Sequence, residues 1–372
     1  MTDILLVGAT GYTGRLISEY LSAHPDRLAH KLRFTLAGRS PEKLADLLDS
    51  LPDKSNVFVL KFSSLTDLDS ALDLAHTALV INTVGPYYIH TPTLAHLCAK
   101  SSTHYLDLCG EPHQAFSLIN RYNTHEMALS THSLIIPACG YDSIPSDLAS
   151  YLSVKALVEK GKEPTNSTTV HSVSGNISGG TIATALSTIS IPSNLLELSH
   201  IPFASSPIVG AQPHPNPKFI YNLTVPGLKS FTGAFSPTST PNLAVVQRSY
   251  GLLELHHLDN PNKSKFHYGS KFTYDEFVQV PNRLVALLYS STIFTLMACL
   301  LVKPVNFLSI LLNPLLTSKH TDLQTRHLSP PFPRLWPEKR GSRERIFQSY
   351  QLYFCCTLFR LYHNLRQDHT QR

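Results

Sequence analysis

Three glycines carry the first chemical signal in this chain. Residues 5–14 read Leu-Leu-Val-Gly-Ala-Thr-Gly-Tyr-Thr-Gly, so Gly8, Gly11 and Gly14 stand three apart behind the apolar run Ile4–Val7. A helix-patterned stretch, Arg15–Ala23, follows. Glycines at a strand-to-helix turn let backbone N–H groups approach a pyrophosphate, and the helix N-terminus adds positive potential there. The spacing G-x-x-G-x-x-G in that setting is a variant of the dinucleotide fingerprint. Thr10, Tyr12 and Thr13 complete the turn and are read with the three glycines as cofactor-binding residues. A bare structural turn is the competing reading. A branched side chain at Gly11 or Gly14 is expected to block the cofactor and leave the fold intact.

The next strand pattern, Leu32–Ala37, ends in Gly38-Arg39-Ser40. An Asp or Glu here would bind the ribose 2′-OH of NAD. Arg39 stands there instead, with Ser40 beside it and Lys43 close behind. A guanidinium suits a 2′-phosphate through paired charge-assisted hydrogen bonds, so NADP is expected over NAD. Further along, Asn82, Val84 and Gly85 end the fourth strand pattern, where the cofactor's ribose and nicotinamide would lie. A reductase also needs a proton donor near the acceptor. Tyr87 and Asp142 are the chosen catalytic pair, because each follows a glycine or proline turn at a strand end facing the same cleft. Tyr88, His90, Asp107, Cys109 and Tyr141 are the other residues on that edge. Gly179, Gly180 and Thr181 precede another helical pattern and are read as a substrate-binding turn for a carboxylate or phosphate. A sharp structural turn explains them equally well.

These residues need a particular scaffold. Strand patterns fall at 3–8, 32–37, 56–61, 78–83, 104–108 and 133–137, with helical patterns at 11–23, 41–50, 66–74, 91–101 and 112–130. Such alternation predicts an α/β fold, an N-terminal Rossmann doubly wound parallel sheet with every strand's carboxyl end on one edge. A second α+β domain is expected beyond it. Its strands are placed at Thr168–Val173, 243–256 and 265–274, with a helix at 182–188 and mostly loops at 201–241. The expected divisions are 1–150 for the dinucleotide-binding domain, 151–283 for a substrate and dimerisation domain, 284–316 for an apolar segment and 317–372 for a tail.

Leu284–Val302 runs nineteen residues without a charge, between Arg283 and Lys303. That just reaches the length of about 18–20 residues needed to span a bilayer. Pro304 separates it from a second apolar run, Val305–Leu316. A helical hairpin embedded from one face of a membrane or lipid droplet is expected, with a buried core helix or a dimer interface as alternatives.

Composition narrows the functional classes. The 372 residues carry a net charge of only +5 with scattered basic residues, which gives no footprint for nucleic acid. Six cysteines, at 98, 109, 139, 299, 355 and 356, form no paired ligand spacing, so no metal site is expected. With the first strand starting by Ile4, no secretory signal is expected. The sequons at Asn166, Asn176, Asn222 and Asn262 are then chance matches. No G-x-S-x-G elbow stands out.

Taken in order, the motifs from Gly8 to Gly14, Ala37-Gly-Arg39, Asn82-Thr-Val-Gly-Pro-Tyr87, His104–Glu111, Gly140–Asp147 and Ser178-Gly-Gly-Thr181 resemble the saccharopine dehydrogenase-like oxidoreductases. That group includes trans-acting enoyl reductases of mycobacterial lipid synthesis. The resemblance is strongest over residues 1–190 and ends near Leu316, and Tyr141 stands where the family commonly has Phe. It implies an NADP-dependent oxidoreductase reducing an apolar or lipid-linked enoyl or carbonyl acceptor. The alternative from another class is a non-catalytic nucleotide-binding protein on lipid droplets or membranes. The expected partners are a small-molecule or lipid substrate, a membrane or droplet surface and a second copy as a homodimer, with no nucleic acid. The expected location is the cytoplasmic face of a membrane or lipid droplet, otherwise the cytoplasm.

Overall fold

Ile4, Leu5, Leu6 and Val7 are all buried in β1 (Thr2–Val7), which puts them at the centre of a parallel sheet covered on both faces. The computed structural model describes residues 2–64, 76–120, 124–172, 201–211, 217–225, 230–259 and 266–301, with single positions at 191, 195, 197 and 227. The expected helix at 66–74, the turn at Gly179, Gly180 and Thr181, the helix at 182–188, the second apolar run and the tail lie outside the described residues.

β2 (Phe34–Gly38) and β3 (Val57–Lys61) lie on one side of β1. β4 (Thr77–Asn82), β5 (His104–Asp107) and β6 (Ile135–Ile136) lie on the other. The order β3-β2-β1-β4-β5-β6 is parallel throughout and doubly wound. Its direction of winding reverses between β1 and β4, and that switch point is where such sheets bind ligands. All six strands fall within a residue or two of their expected positions. The helices between them are α1 (Tyr12–Ala23), α2 (Pro25–Ala29), α3 (Pro41–Ser50), α4 (Tyr87–Lys100), α5 (Pro112–Asn120) and α6 (Thr124–Thr131). α2 is a short addition, capped by the His24 ring, which accepts from the Asp26 N–H at 3.2 Å.

α7 (Ile144–Glu159) leads into a second, mixed sheet ordered β7-β10-β9-β8. Its strands are β7 (Asn166–His171), β8 (Tyr221–Leu223), β9 (Phe231–Ala234) and β10 (Thr273–Gln279). Two expectations for this region are corrected. Residues 243–256 are helical, inside α8 (Ser239–Asp259), whose buried positions Asn242, Val246, Gln247, Tyr250 and Gly251 follow a helix period. The strand expected at 265–274 begins only at Thr273. A turn at Gly269 (φ +84°) precedes it, closed by Phe272 N–H donating to the Gly269 carbonyl at 3.2 Å. β8 and β9, three and four residues long, sit within the stretch read as loops.

The apolar segment forms α9 (Arg283–Leu301). One side docks on the second sheet. The Ser290 hydroxyl donates to the Phe219 carbonyl at 2.7 Å and accepts the Phe235 N–H at 2.9 Å. Phe294 stacks on Phe235 with ring centroids 4.5 Å apart. The other side leaves Leu284, Leu288 and Leu296 at 66%, 60% and 56% exposure. Among the described residues no helix is long and apolar enough to cross a membrane.

Candidate functional site

The glycine turn lies at the switch point. Gly8 has φ +83°, and a Cβ there would sit 2.7 Å from Thr83 Oγ1 and 2.8 Å from Val84 Cγ2. Its N–H and that of Ala9 are held by the Ala37 carbonyl at 2.9 and 3.1 Å. Thr83 Oγ1 donates to the Val7 and Gly8 carbonyls, and Arg15 Nε donates to the Thr10 carbonyl at 3.2 Å. The turn is therefore tied to β2, β4 and α1. Gly11 is the N-cap of α1, and no side chain caps its first turn. Those N–H groups, with the exposed Tyr12 and half-buried Thr13 beside them, form a cradle that Cβ atoms would fill, and this cradle fits a dinucleotide pyrophosphate. Gly14 differs from Gly11. It is buried, and its Cβ would collide with the Gly8 carbonyl oxygen and come within 2.8 Å of the Ala9 backbone. The expectation that a branched residue at Gly14 spares the fold is corrected on this ground.

Arg39 leaves the carboxyl end of β2 exposed to solvent. Ser40 serves as the N-cap of α3, its Oγ accepting the Lys43 N–H at 3.3 Å. Arg39 stands at the strand end where the 2′-phosphate contact is expected. Arg39→Ala is expected to weaken NADPH binding by about 1.5–3 kcal/mol, the value of a charge-assisted hydrogen bond. NADH affinity is expected to change little. Titrating both cofactors into the variant checks this, and equal losses for the two would contradict it.

The ends of β4, β5 and β6 are joined by a buried polar chain. Asn82 Nδ2 donates to the Tyr105 hydroxyl at 3.0 Å, and that hydroxyl donates to Asp107 Oδ2 at 3.0 Å. Asp107 Oδ1 accepts the N–H groups of Cys109 and Ala138, both at 2.9 Å. Burial pushes the Asp107 carboxyl up to about 6, although these hydrogen bonds oppose the rise. Asn82 Oδ1 accepts the Val84 N–H at 3.0 Å. The Asn82 side chain thus shapes the exit loop from within, and Val84 and Gly85 carry its backbone past the glycine turn.

After the cis peptide bond at Gly85-Pro86, Tyr87 opens α4 and is buried. Its hydroxyl is pushed well up by burial, then by Asp107, Cys109, Glu111 and Asp142. Asp142 is brought to the same edge from the loop before α7, its Oδ2 lying 3.1 Å from where a Cβ on Gly110 would stand. Burial raises the Asp142 carboxyl, Glu276 raises it further, and His171 opposes both. Burial also pushes up the Cys109 thiol, whose sulfur accepts the Glu111 N–H at 3.3 Å. The Tyr88 N–H donates to Glu111 Oε2 at 3.1 Å. No side-chain geometry is described for His90.

Sequence reasoning missed the second sheet's contribution. Glu276 on β10 is 1% exposed and accepts from every side. Its Oε2 lies 3.2 Å from His171 Nε2 and accepts the Tyr274 hydroxyl at 2.7 Å and Ser146 Oγ at 3.1 Å. Burial would raise its carboxyl, yet hydrogen bonds from His171, Tyr274 and Asn242 and the His171 charge leave it below the ordinary value. The Tyr141 ring meets His171 edge-on at 6.5 Å. Ser146 and His171 do not form a hydrolytic triad with Glu276, because one nitrogen, Nε2, faces both partners. The available signal was the inward alternation of Tyr274 and Glu276, which a strand ending at 274 does not reach.

A doubly wound sheet with a glycine cradle at its switch point and an arginine at the end of β2 defines an NADP-binding oxidoreductase. The family model described as the saccharopine dehydrogenase NADP binding domain matches residues 4–133. A trans-acting enoyl reductase of Mycobacterium tuberculosis is 33% identical over 304 residues, covering 78% of this chain and 68% of that protein. One from Mycobacterium ulcerans is 31% identical over the same coverage. A further M. tuberculosis relative is 33% identical over 305 residues, covering 76% of this chain and 66% of its own length. The chain belongs to the saccharopine dehydrogenase-like family, together with the trans-acting enoyl reductases. It spans about two thirds of the length of the curated relatives it matches. Among solved structures, a dehydrogenase from Chromobacterium violaceum in complex with NADH and UDP-GlcNAcA aligns with a TM-score of 0.31. It shares 16% identity over 46% of this chain and 45% of that one.

Proposed function

We propose that this protein uses NADPH to reduce an enoyl or carbonyl group on an apolar, lipid-linked acceptor. One observation carries the reading: the buried Tyr87 and the half-buried Asp142 both hold their protons more tightly than usual, and Asp142 is close enough for its charge to act on the Tyr87 hydroxyl. NADPH, when bound, supplies the hydride. Gly8, Gly11 and Gly14 hold its pyrophosphate, and Arg39 selects its 2′-phosphate. Reduction also needs one proton, delivered by the Asp142 carboxyl or the Tyr87 hydroxyl and replaced from water. The trans-acting enoyl reductases named above favour an enoyl acceptor.

The test is NADPH oxidation against a panel of enoyl thioesters, enals and enones of increasing chain length. Asp142→Asn is expected to lower kcat by about 10²–10⁴-fold, the usual contribution of a positioned acid, and to leave NADPH affinity unchanged. Activity should fall as pH rises through the elevated Asp142 value, because the carboxyl then loses the proton it must give. NADPH binding with no oxidation across the panel overturns the reading. That result would favour the alternative, a non-catalytic nucleotide-binding protein on a membrane or lipid droplet.

The exposed leucines of α9 support attachment of this protein to the cytoplasmic face of a membrane or lipid droplet. Replacing Leu288 and Leu296 together by Asp is expected to move the protein into the soluble fraction. Each charge costs about 2.5–3.5 kcal/mol near the centre of an embedded apolar helix. Both side chains point away from the core, so the thermal midpoint should hold. Unaltered protein that is freely soluble in cell extracts rules attachment out, and a dimer dissociated by the same pair assigns the face to a second copy.

A further inference from the structure

The edge strand β6 borders a half-open, largely apolar pocket of about 170 Å³ beside α5, α6 and α8. Leu118, Ile135, Ile136 and the exposed Leu129 are among its lining residues. None of its lining belongs to the glycine turn, to the exit of β4 or to the Tyr87–Asp142 edge. A volume of about 150 Å³ accommodates benzene, so this pocket has room for a body of roughly six to eight carbons.

Two polar groups stand on the lining. Thr124 is 2% exposed, and its Oγ1 has no hydrogen-bond partner. Arg248 donates from Nη1 to the Ser205 carbonyl at 2.5 Å. Burial alone lowers its guanidinium, with no charged neighbour contributing. Among the described residues no carboxylate forms an ion pair with it. A half-buried guanidinium with no counter-charge can still pair with an anion, and a wholly apolar occupant would leave it without one. A carboxylate would accept from Arg248 and from the Thr124 hydroxyl together.

We infer that this cavity binds a short amphipathic carboxylate, with its hydrocarbon body against Leu118 and Ile135 and its head on Arg248 and Thr124. The site is separate from the nicotinamide cleft and does not depend on the proposed reduction.

The experiment is calorimetric titration of the full-length protein with octanoate, octan-1-ol and octylammonium. Octanoate should bind at one site, octan-1-ol at least tenfold more weakly, and octylammonium not measurably. Arg248→Met keeps an unbranched apolar stem and should weaken octanoate at least tenfold. Ala128→Leu fills part of the cavity and should do the same. NADPH should titrate as in the parent in both variants. The absence of octanoate binding, equal binding of octan-1-ol, or full octanoate affinity in Arg248→Met overturns the assignment. If either variant melts well below the parent, the three ligands on the unaltered protein still decide it.

Discussion

Glu276→Ala is expected to destabilise the protein by about 3–5 kcal/mol, the cost of removing one partner from a buried charged cluster. Total stabilities run to only about 5–15 kcal/mol, so the loss threatens the fold of the second sheet. The reason lies in how many donors depend on this carboxylate. Oε1 accepts Ser236 Oγ at 2.8 Å, Thr238 Oγ1 at 3.2 Å and Asn242 Nδ2 at 3.0 Å. Oε2 receives Asn242 Nδ2 at 2.8 Å, along with Tyr274, Ser146 and His171. These donors come from α7, β7, α8, β10 and the loop before α8. An alanine would take the carboxylate from all of them, leaving Ser236 paired with Thr238 and Ser146 with His171, and a buried polar group that loses its match costs about 1–3 kcal/mol. Glu276→Gln preserves the shape but turns an NH2 group toward donors, so it should lie between the parent and Glu276→Ala.

The pH response separates charge from packing. The folded carboxyl is held below its ordinary value of 4.5, so its ionised form is the stabilised one. That stability is complete above the ordinary value and is lost as pH falls through the folded one. Urea unfolding at neutral pH and in acid should show the parent losing this increment and Glu276→Gln keeping a flatter profile. A Glu276→Ala variant within 1 kcal/mol of the parent would show that the cluster contributes little.

The first sheet was legible because its signals are local. A parallel strand buried on both faces reads as a continuous apolar run, and glycines bound it. Ile4–Val7 followed by Gly8 is such a case, and so is Leu79–Ile81 before Asn82. Gly8, Gly11 and Gly14 could be read together because one turn holds all three. The second sheet failed the same reading. Val245 and Val246 within α8 imitate a strand, and only the helix-spaced face from Asn242 to Gly251 shows otherwise. Glu276 could not be found locally at all. It meets His171 across 105 positions and Ser146 across 130, and no periodicity within a window carries that pairing. Asn82 is a subtler case. Its place at the end of β4 is plain in the sequence. That its amide turns inward to Tyr105 and Val84 depends on β5, which lies in another part of the chain.

The glycine turn gives the sharpest test of the cofactor site, because its positions are expected to fail differently. Gly11 is exposed, and a Cβ on it would stand 3.3 Å from the Gly8 carbonyl oxygen, a contact that small shifts relieve. Gly11→Val should therefore fold and melt near the parent. Its methyl groups would occupy the space where a pyrophosphate approaches the first turn of α1, so NADPH affinity should fall more than 100-fold. At Gly14 the added carbon collides with the Gly8 carbonyl and the Ala9 backbone. Gly8 and Ala9 are anchored to Ala37, so neither can retreat without moving the end of β1 against β2. Overpacking of this kind costs about 1–3 kcal/mol, so Gly14→Val should lose both NADPH binding and thermal stability. Calorimetric titration of NADPH beside a melting curve for each variant reads both effects. A Gly11→Val variant that folds and binds NADPH as the parent does would place the phosphate site elsewhere. A Gly14→Val variant that melts with the parent would show that α1 does not press on β1 as closely as this turn requires.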